Sequence, residues 1–225
     1  MKVLIFGDGL LGKELADKTG WDVVSRKTTG LDITDYDSID NLVSKYDTIV
    51  NCIANTDTYS EDRIEHMKVN YEFVATLADM VEFHDKVLVQ ISTEFVYAFN
   101  KKPANEIDLP LPAHNWYSYS KLLADEYIKV TVPKHLICRT LFKPMDFSPE
   151  EVWDVKTTGD KVDKIADLII DLIKKQAQGV YNVGTGKKKL YKLAPKGTPV
   201  IKAPKYVPTD TTMDLTDLNE IIGLD

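Results

Sequence analysis

The chain has 225 residues, of which 44% are hydrophobic and 28% charged, so it suits one globular domain, alone or with a small appendage. Its formal net charge of −7 gives no global support to nucleic-acid binding. No apolar run approaches the roughly 20 residues of a membrane span. Residues 1–7 are too short and too soon broken by glycine for a signal peptide. We therefore expect a soluble, cytoplasmic protein with no nucleic-acid or membrane partner.

Strand and helix patterns alternate along the chain. We predict strands at 2–6, 22–24, 48–53, 87–92, 136–138 and 180–183. We predict helices at 10–18, 38–45, 63–83, 118–130, 162–175 and 215–222, the last closed by Gly223. Alternation of helices with nearly continuous apolar strands predicts an α/β fold with a parallel sheet covered on both faces.

Residues 184–205 differ in character, because they contain seven lysines and no acidic residue. One interpretation is a solvated, loosely structured surface segment. The other is a positive collar for an anionic substrate.

A glycine-rich turn follows the first predicted strand. Gly7, Gly9 and Gly12 form G-x-G-x-x-G between that strand and the first helix, which is the context of a dinucleotide-binding turn. Glycines permit a tight turn and close approach to a pyrophosphate, and the helix start at Leu10 and Leu11 offers unpaired N–H groups. The alternative is a strand–helix turn that needs glycine only for its own geometry.

The end of the second strand should lie near the adenosine ribose of such a cofactor. NAD enzymes often place an acid there to bind the 2′-hydroxyl. Here the strand is followed by Ser25, Arg26 and Lys27, which suit a 2′-phosphate, so we predict NADP(H) in preference to NAD(H). Arg26 and Lys27 are otherwise plain surface charges. Asp32 and Ile33 are candidates for the adenine edge, although Asp32 equally suits a turn cap.

Tyr117 and Lys121 stand four residues apart in a predicted helix, so they lie on one face. A tyrosine normally titrates near ~10 and is a poor acid at neutral pH. A neighbouring ammonium favours the phenolate and lowers that pKa. The pair therefore suggests a tyrosine acid beside a nicotinamide cofactor.

Several segments, taken together and in order, resemble a known family. They are the glycine turn, 51–56, Val69-Asn70, 91–97 (Ile-Ser-Thr-Glu-Phe-Val-Tyr), the lead-in with Glu106, Asp108 and Pro112, 117–122 (Tyr-Ser-Tyr-Ser-Lys-Leu), and more weakly 211–218. The chain resembles the extended short-chain dehydrogenase/reductases, and within them the dTDP-4-dehydrorhamnose reductases of deoxysugar biosynthesis. The likeness covers about residues 1–145 and, more faintly, 150–183.

The resemblance implies a catalytic set of Thr93, Tyr117 and Lys121. Tyr117 would protonate the carbonyl of a nucleotide-linked 4-keto-6-deoxy sugar while NADPH delivers hydride. Lys121 would hold the nicotinamide ribose, and Thr93 would orient the carbonyl. The residues that would line the nicotinamide ribose are Ala54, Asn55 and Thr56.

The resemblance also implies a Rossmann-type domain at 1–145 and a small, shortened substrate-binding portion at 146–225. The glycine turn is one residue shorter than the subfamily's G-x-x-G-x-x-G, and Glu94 replaces an aspartate. The stretch between the predicted strand at 136–138 and Val162 is also shorter than in those reductases, so the identity of the sugar stays open. In that stretch Trp153 suits either stacking on a substrate or the core.

Other functions remain open. A 4,6-dehydratase would carry an Asp-Glu pair after the catalytic threonine, but Thr93 is followed by Glu94 and Phe95. An epimerase would tend to carry an acid after the second strand. A non-catalytic, NADP-binding regulatory subunit, like that of methionine adenosyltransferase, has no need of the intact Thr93, Tyr117 and Lys121. A small non-nucleotide carbonyl is a further possible substrate, since fold does not fix function.

The cysteines and histidines of the sequence give no indication of a further chemical site. Cys52 and Cys138 lie in apolar runs and are predicted to be core thiols without a disulfide. The histidines show no metal-ligand spacing, so we predict no metal and interpret all of them as surface or loop residues: His66, His84, His114 and His135. By analogy with relatives that pair through the 63–83 helix and the helix after Tyr117, we expect a homodimer.

Overall fold

The computed structural model describes residues 1–223 and divides into two compact units. The first unit comprises Met1–Ser92, Asn115–Ile137 and Ala177–Gly179. The second comprises Thr93–His114, Cys138–Gln176 and the chain from Val180 onward.

A six-stranded sheet dominates the architecture. Its strands are β1 (Val3–Phe6), β2 (Asp22–Val24), β3 (Thr48–Asn51), β4 (Val87–Thr93), β5 (His135–Thr140) and β10 (Gly179–Val183). Their order is β10-β5-β4-β3-β1-β2, and β1 pairs in parallel with both β2 and β3, as β3 does with β4. This is the predicted Rossmann-type α/β fold, which is confirmed. β1 and β3 are buried along their whole length because helices cover both sheet faces.

The helices of the first unit agree closely with the predicted ones. They are α1 (Leu10–Thr19), α2 (Tyr36–Val43), α3 (Arg63–Met67), α4 (Phe73–Phe83) and α5 (Trp116–Thr131). α2 and α5 begin two residues before the predicted starts, because each has a side chain that caps its N-terminus. The Asp35 side chain accepts the backbone N–H of Ser38, and the Asn115 side chain accepts the backbone N–H of Ser118.

The predicted continuous helix over 63–83 is interrupted by a π-helical segment, Lys68–Glu72, between α3 and α4. A π-turn inserts one residue into a helix and is frequent at functional sites. Asn70, in this segment, is fully buried, and its side chain bonds to the backbone of Asn55. This long-range contact accompanies the interruption, and the hydrophobic spacing did not predict it.

The second unit contains α6 (Val162–Lys174), α7 (Thr216–Ile222) and pairs of very short strands. The strands are β6 (Phe142–Lys143), β7 (Val152–Trp153), β8 (Lys156–Thr157), β9 (Asp160–Lys161), β11 (Lys188–Lys189) and β12 (Val200–Ile201). They pair as β6 with β9, β7 with β12 and β8 with β11. α7 ends at Gly223 in the left-handed conformation, as predicted. Within residues 1–223, no helix has the length and apolarity needed to cross a membrane.

The lysine-rich segment 184–205 is more ordered than a loosely structured surface segment would be. It contains β11, β12 and a 3-10 turn at Leu190–Leu193. Lys188 pairs with Asp160 at 3.0 Å, and Lys189 pairs with Asp154 at 2.6 Å. Two of the seven lysines therefore have acidic partners within the second unit.

Candidate functional site

The glycine turn between β1 and α1 requires glycine at two of its positions. Gly7 has a φ of +98°, and its N–H donates to the carbonyl of Val24 at 2.8 Å. A Cβ added at Gly12 would lie 1.9 Å from the Gly7 carbonyl oxygen. By contrast, a Cβ added at Gly9 would meet nothing within 4 Å. The backbone of α1 thus approaches the turn so closely that no side chain fits at Gly12.

The start of α1 is equipped to bind an anion. Gly9 is the N-cap and provides no side-chain cap, and the first turn contains no acidic residue. The first N–H groups of the helix, at Leu10 and Leu11, therefore meet no capping side chain, and the helix dipole adds partial positive charge. Leu11 is buried and anchors the turn, whereas Leu10 is exposed. A pyrophosphate fits both the uncapped helix end and the glycine cradle.

Of the three residues after β2, Ser25 has a structural role, whereas Arg26 and Lys27 are exposed cations. Ser25 is buried, and its hydroxyl accepts the N–H of Thr28 at 3.0 Å, so it builds the local turn. Arg26 and Lys27 are exposed. The positive charge predicted for a 2′-phosphate is therefore available, whereas the Ser25 hydroxyl is engaged within the chain.

Asp32 caps a turn, which is one of its two predicted roles. Its carboxylate accepts the backbone N–H of Thr34 at 2.8 Å and the Thr34 hydroxyl at 2.7 Å, and these bonds lower the pKa of Asp32. Ile33 borders an open groove of about 650 Å³ in the first unit. The other lining residues are Thr34, Tyr36, Arg63, Ile64, Met67, Lys68, Glu72, Phe73, Trp116, Tyr119 and Leu123.

The segment predicted to line the nicotinamide ribose, Ala54 to Thr56, is fixed in place by Asn70. The Asn70 side chain accepts the N–H of Asn55 at 2.8 Å and donates to the carbonyl of Asn55 at 3.1 Å. An amide side chain thus gives this peptide the two hydrogen bonds that a neighbouring strand would give it. Asn70 was not among the predicted site residues, although the Val69-Asn70 motif marked its position.

Tyr117 and Lys121 both lie on α5, one helical turn apart, as predicted. Lys121 is buried, and its ammonium donates to the carbonyl of Ile91 at 2.5 Å. Burial lowers the pKa of Lys121 to about 8, although the nearby Asp125 carboxylate acts in the opposite direction. One helical turn after Tyr117, α5 therefore carries a buried amine that remains largely protonated at neutral pH.

Cys52 and Cys138 form no disulfide bond. Burial raises the pKa of Cys52 to about 12, so this residue is a neutral thiol at physiological pH.

His66 belongs to the same part of the first unit, and its interpretation as a surface or loop residue is wrong. The side chain is fully buried, and its ring lies edge-on to the Tyr117 ring with centroids 6.3 Å apart. Its Nδ1 lies 3.3 Å from the side-chain nitrogen of Asn70, which also donates to Ser120 at 3.2 Å. The four-residue spacing of His66 and Asn70 is consistent with their contact, but it does not indicate that His66 is buried. His84, by contrast, pairs with Asp40 at 2.8 Å.

Thr93 ends β4 and belongs to the second unit. Its hydroxyl is buried and accepts the N–H of Phe95 at 3.3 Å, which starts the 3-10 turn Glu94–Tyr97. Glu94 is fully buried and bonds to Thr157 and Thr211. Across residues 1–223, no group of three or more His, Cys, Asp or Glu side chains is arranged to hold a metal ion.

Sequence comparison identifies one family. The profile described as the RmlD substrate binding domain matches residues 1–142 of the chain. No curated protein matches the chain significantly.

Solved structures share the fold. A hypothetical dTDP-4-dehydrorhamnose reductase from Sulfolobus tokodaii is 23% identical, with a TM-score of 0.83 over 98% of this chain and 94% of that one. The dTDP-4-dehydrorhamnose reductase of Bacillus anthracis, in complex with NADP, is 21% identical, with a TM-score of 0.82 over 98% of this chain and 92% of that one. The enzyme WbmG of Bordetella bronchiseptica, in complex with NAD and UDP, is 15% identical, with a TM-score of 0.80 over 99% and 89%.

Proposed function

The chain belongs to the RmlD substrate binding domain family, and from that membership we propose that it is an NADP-dependent reductase of a nucleotide-linked 4-keto-6-deoxy sugar. Membership confirms the predicted resemblance to the dTDP-4-dehydrorhamnose reductases. Two structures of the same fold carry that enzyme's name, and a third was solved with a uridine nucleotide. The observation that carries the proposal is the buried Lys121 ammonium one helical turn from Tyr117.

The chain's own groups suit a nicotinamide dinucleotide. The glycine turn and the uncapped start of α1 would hold the pyrophosphate, and Ala54 to Thr56 would line the ribose next to the nicotinamide. The bound cofactor would supply the hydride. One structure of this fold contains NADP and another NAD, so the preference for NADP rests on Arg26 and Lys27 in this chain.

The protein groups would perform the proton chemistry. The Tyr117 hydroxyl would donate its proton to the carbonyl oxygen of the substrate, and the Lys121 ammonium would stabilise the resulting phenolate. The bond from Lys121 to the Ile91 carbonyl fixes the position of the ammonium, so little reorganisation is needed during the reaction. Thr93 would accept or donate a hydrogen bond at the substrate oxygen and so orient the carbonyl.

Substitution of Tyr117 tests the proposal. Tyr117→Phe removes the acid but keeps the ring, so we expect turnover of dTDP-4-keto-6-deoxy sugars to fall by about 10²–10⁴-fold. NADPH affinity, measured by fluorescence titration, should change little. Tyr119→Phe, on the same helix, is the matched control and should retain wild-type rates. A Tyr117→Phe protein with wild-type turnover would contradict the catalytic assignment. Tight NADPH binding without turnover in the wild type would favour a regulatory subunit.

We also propose that two copies pair through α3 and α5. Ile64 on α3 is 74% exposed and Tyr119 on α5 is 46% exposed, and both line the groove described above. Exposed aliphatic and aromatic side chains in a groove that also carries charged residues are suited to a two-fold interface, in which each copy covers the same patch on the other. Ile64→Glu should give monomers in light scattering after gel filtration. Ile107→Glu, at a 93% exposed residue of the second unit, is the control and should leave the dimer intact.

A further inference from the structure

Glu94, directly after Thr93, is a fully buried carboxyl group that the mechanism above does not use. Both of its oxygens are engaged within the second unit. Thr157, at the end of β8, donates its hydroxyl proton to Oε2 at 2.8 Å. The hydroxyl of Thr211 bonds to Oε1. One side chain thus joins three segments of the chain that are far apart in sequence: the Thr93 turn, β8 and the segment around Thr211.

The protons in this cluster can be counted. The Thr157 hydroxyl accepts the N–H of Gly159 at 2.8 Å and gives its own proton to Glu94. The Thr211 hydroxyl lies within hydrogen-bond distance of both Glu94 Oε1 and the carbonyl oxygen of Lys156, at 3.1 Å for the latter. A hydroxyl has one proton and cannot donate to both. If Glu94 carries a proton on Oε1, it donates to Thr211, and Thr211 donates to Lys156.

The surroundings make that protonated form accessible near neutral pH. Burial raises the pKa of Glu94 to about 7, although the bonds from Thr211 and Thr157 and the charges of Lys102 and Lys143 act in the opposite direction. Full ionisation would place a charge where no water reaches it, at the point where the three segments meet.

The segments that Glu94 joins also support each other through the backbone. The N–H of Thr211 donates to the carbonyl of Lys156, and the N–H of Lys156 donates to the carbonyl of Thr209, each at 2.9 Å. β8 pairs with β11 in the lysine-rich segment. The position of these strands is therefore coupled to the residue next to Thr93.

We propose that Glu94 is a positioning residue for substrate: its protonated carboxyl closes a hydrogen-bonded clamp between the Thr93 turn, Thr157 and Thr211, and loss of that proton loosens the clamp. This inference rests on the proposed reductase function for its substrate. The protonated carboxyl has the donor and acceptor pattern of an amide, so Glu94→Gln should keep the clamp closed at every pH. Glu94→Asp shortens the side chain and should fail to reach both threonines.

The KM for the keto sugar tests the clamp. If only the protonated form binds substrate, the KM of the wild type should rise by up to about 30-fold between about pH 6 and about pH 8.5. The KM of Glu94→Gln should lack this rise. Glu106→Gln is the matched control, because Glu106 is a second carboxyl of the same unit and accepts the N–H of Asn182 at 2.8 Å. It should keep the wild-type profile.

Thermal unfolding over the same pH series is a second, substrate-independent measurement. The folded state holds the Glu94 proton more tightly than the unfolded chain, so the wild type should lose stability relative to Glu94→Gln as pH rises from about 4.5 to about 7. Parallel KM profiles for the wild type and Glu94→Gln would overturn the positioning role, even if the melting curves diverge. Coincident melting curves would overturn the clamp itself.

The clamp can still be tested if the wild type turns over no keto sugar or if Glu94→Gln does not fold. If no keto sugar is turned over, the proposed function fails, and calorimetric titration with dTDP replaces KM in the same pH series, with parallel dTDP profiles overturning the clamp. If Glu94→Gln does not fold, Thr211→Val removes the partner of Oε1 instead. It should bind substrate or dTDP weakly at every pH, and a wild-type pH profile in this variant would overturn the proposal.

Discussion

Substitution of Gly12 by alanine should damage both folding and cofactor binding. The added Cβ would lie 1.9 Å from the Gly7 carbonyl oxygen, whereas real contacts of this kind are essentially never shorter than 3.0 Å. The obstacle is backbone, so α1 or the turn must move by about 1 Å, and such overpacking costs about 1–3 kcal/mol. For a chain of this length, that corresponds to a fall in Tm of about 2–12 °C.

Thermal unfolding and NADPH titration measure the two effects, and Gly9→Ala is the matched control. Gly9 has a φ of −65°, and a Cβ there would meet nothing within 4 Å, so this variant should keep its Tm to within about 2–4 °C, which corresponds to about 1 kcal/mol. It should still bind NADPH less tightly, because the methyl group fills space at the helix end where the pyrophosphate would approach. A Gly12→Ala protein with wild-type Tm and NADPH affinity would refute the reasoning, as would a Gly9→Ala protein that is the less stable of the two.

Two further predictions concern charged residues of the first unit. Lys121→Met should abolish turnover yet raise Tm at pH 7. The folded pKa of Lys121, about 8, lies below the ordinary value, so the cost of its charge is present below about pH 8 and disappears as pH rises toward about 10. The free energy of unfolding should rise by at most about 3 kcal/mol in Lys121→Met, reduced by the lost attraction between Lys121 and the neighbouring Asp125. A Tm difference between the two proteins that does not shrink between pH 7 and pH 10 would contradict this prediction. Arg26→Ala should weaken NADPH binding by about tenfold or more while NADH changes little, and equal losses in parallel titrations would count against a 2′-phosphate site.

The parts of the site that the sequence predicts are those built from short-range patterns. The glycine turn follows a strand and precedes a helix within twelve residues, and Tyr117 and Lys121 are separated by one turn of one helix. Both relationships can be read from spacing alone. The same is true of the main strands, whose apolar runs are long enough to be recognised.

The features that the sequence did not predict depend on contacts between distant parts of the chain. Glu94 and Thr211 are 117 residues apart, and nothing near either residue indicates their bond. His66 has a polar side chain in a segment of mixed character, so its burial against Tyr117 follows only from the packing of α3 on α5. Six strands of the second unit are only two residues long and carry no periodic signal: β6, β7, β8, β9, β11 and β12.

The π-helical segment at Lys68–Glu72 has a consequence for comparing or recombining this chain with its relatives. A π-turn adds one residue, and one residue corresponds to about 100° of rotation in an α-helix. A relative with a regular α-helix here would need a one-residue gap within the helix to align correctly on both sides. Deletion of one residue from this segment would keep the helix but rotate Asn70 relative to the buried face of α4, which includes Val74 and Leu77. Either the core contacts of α4 or the hydrogen bonds between Asn70 and Asn55 would then be lost. A chimaera that receives this helix from the present chain must therefore keep the extra residue.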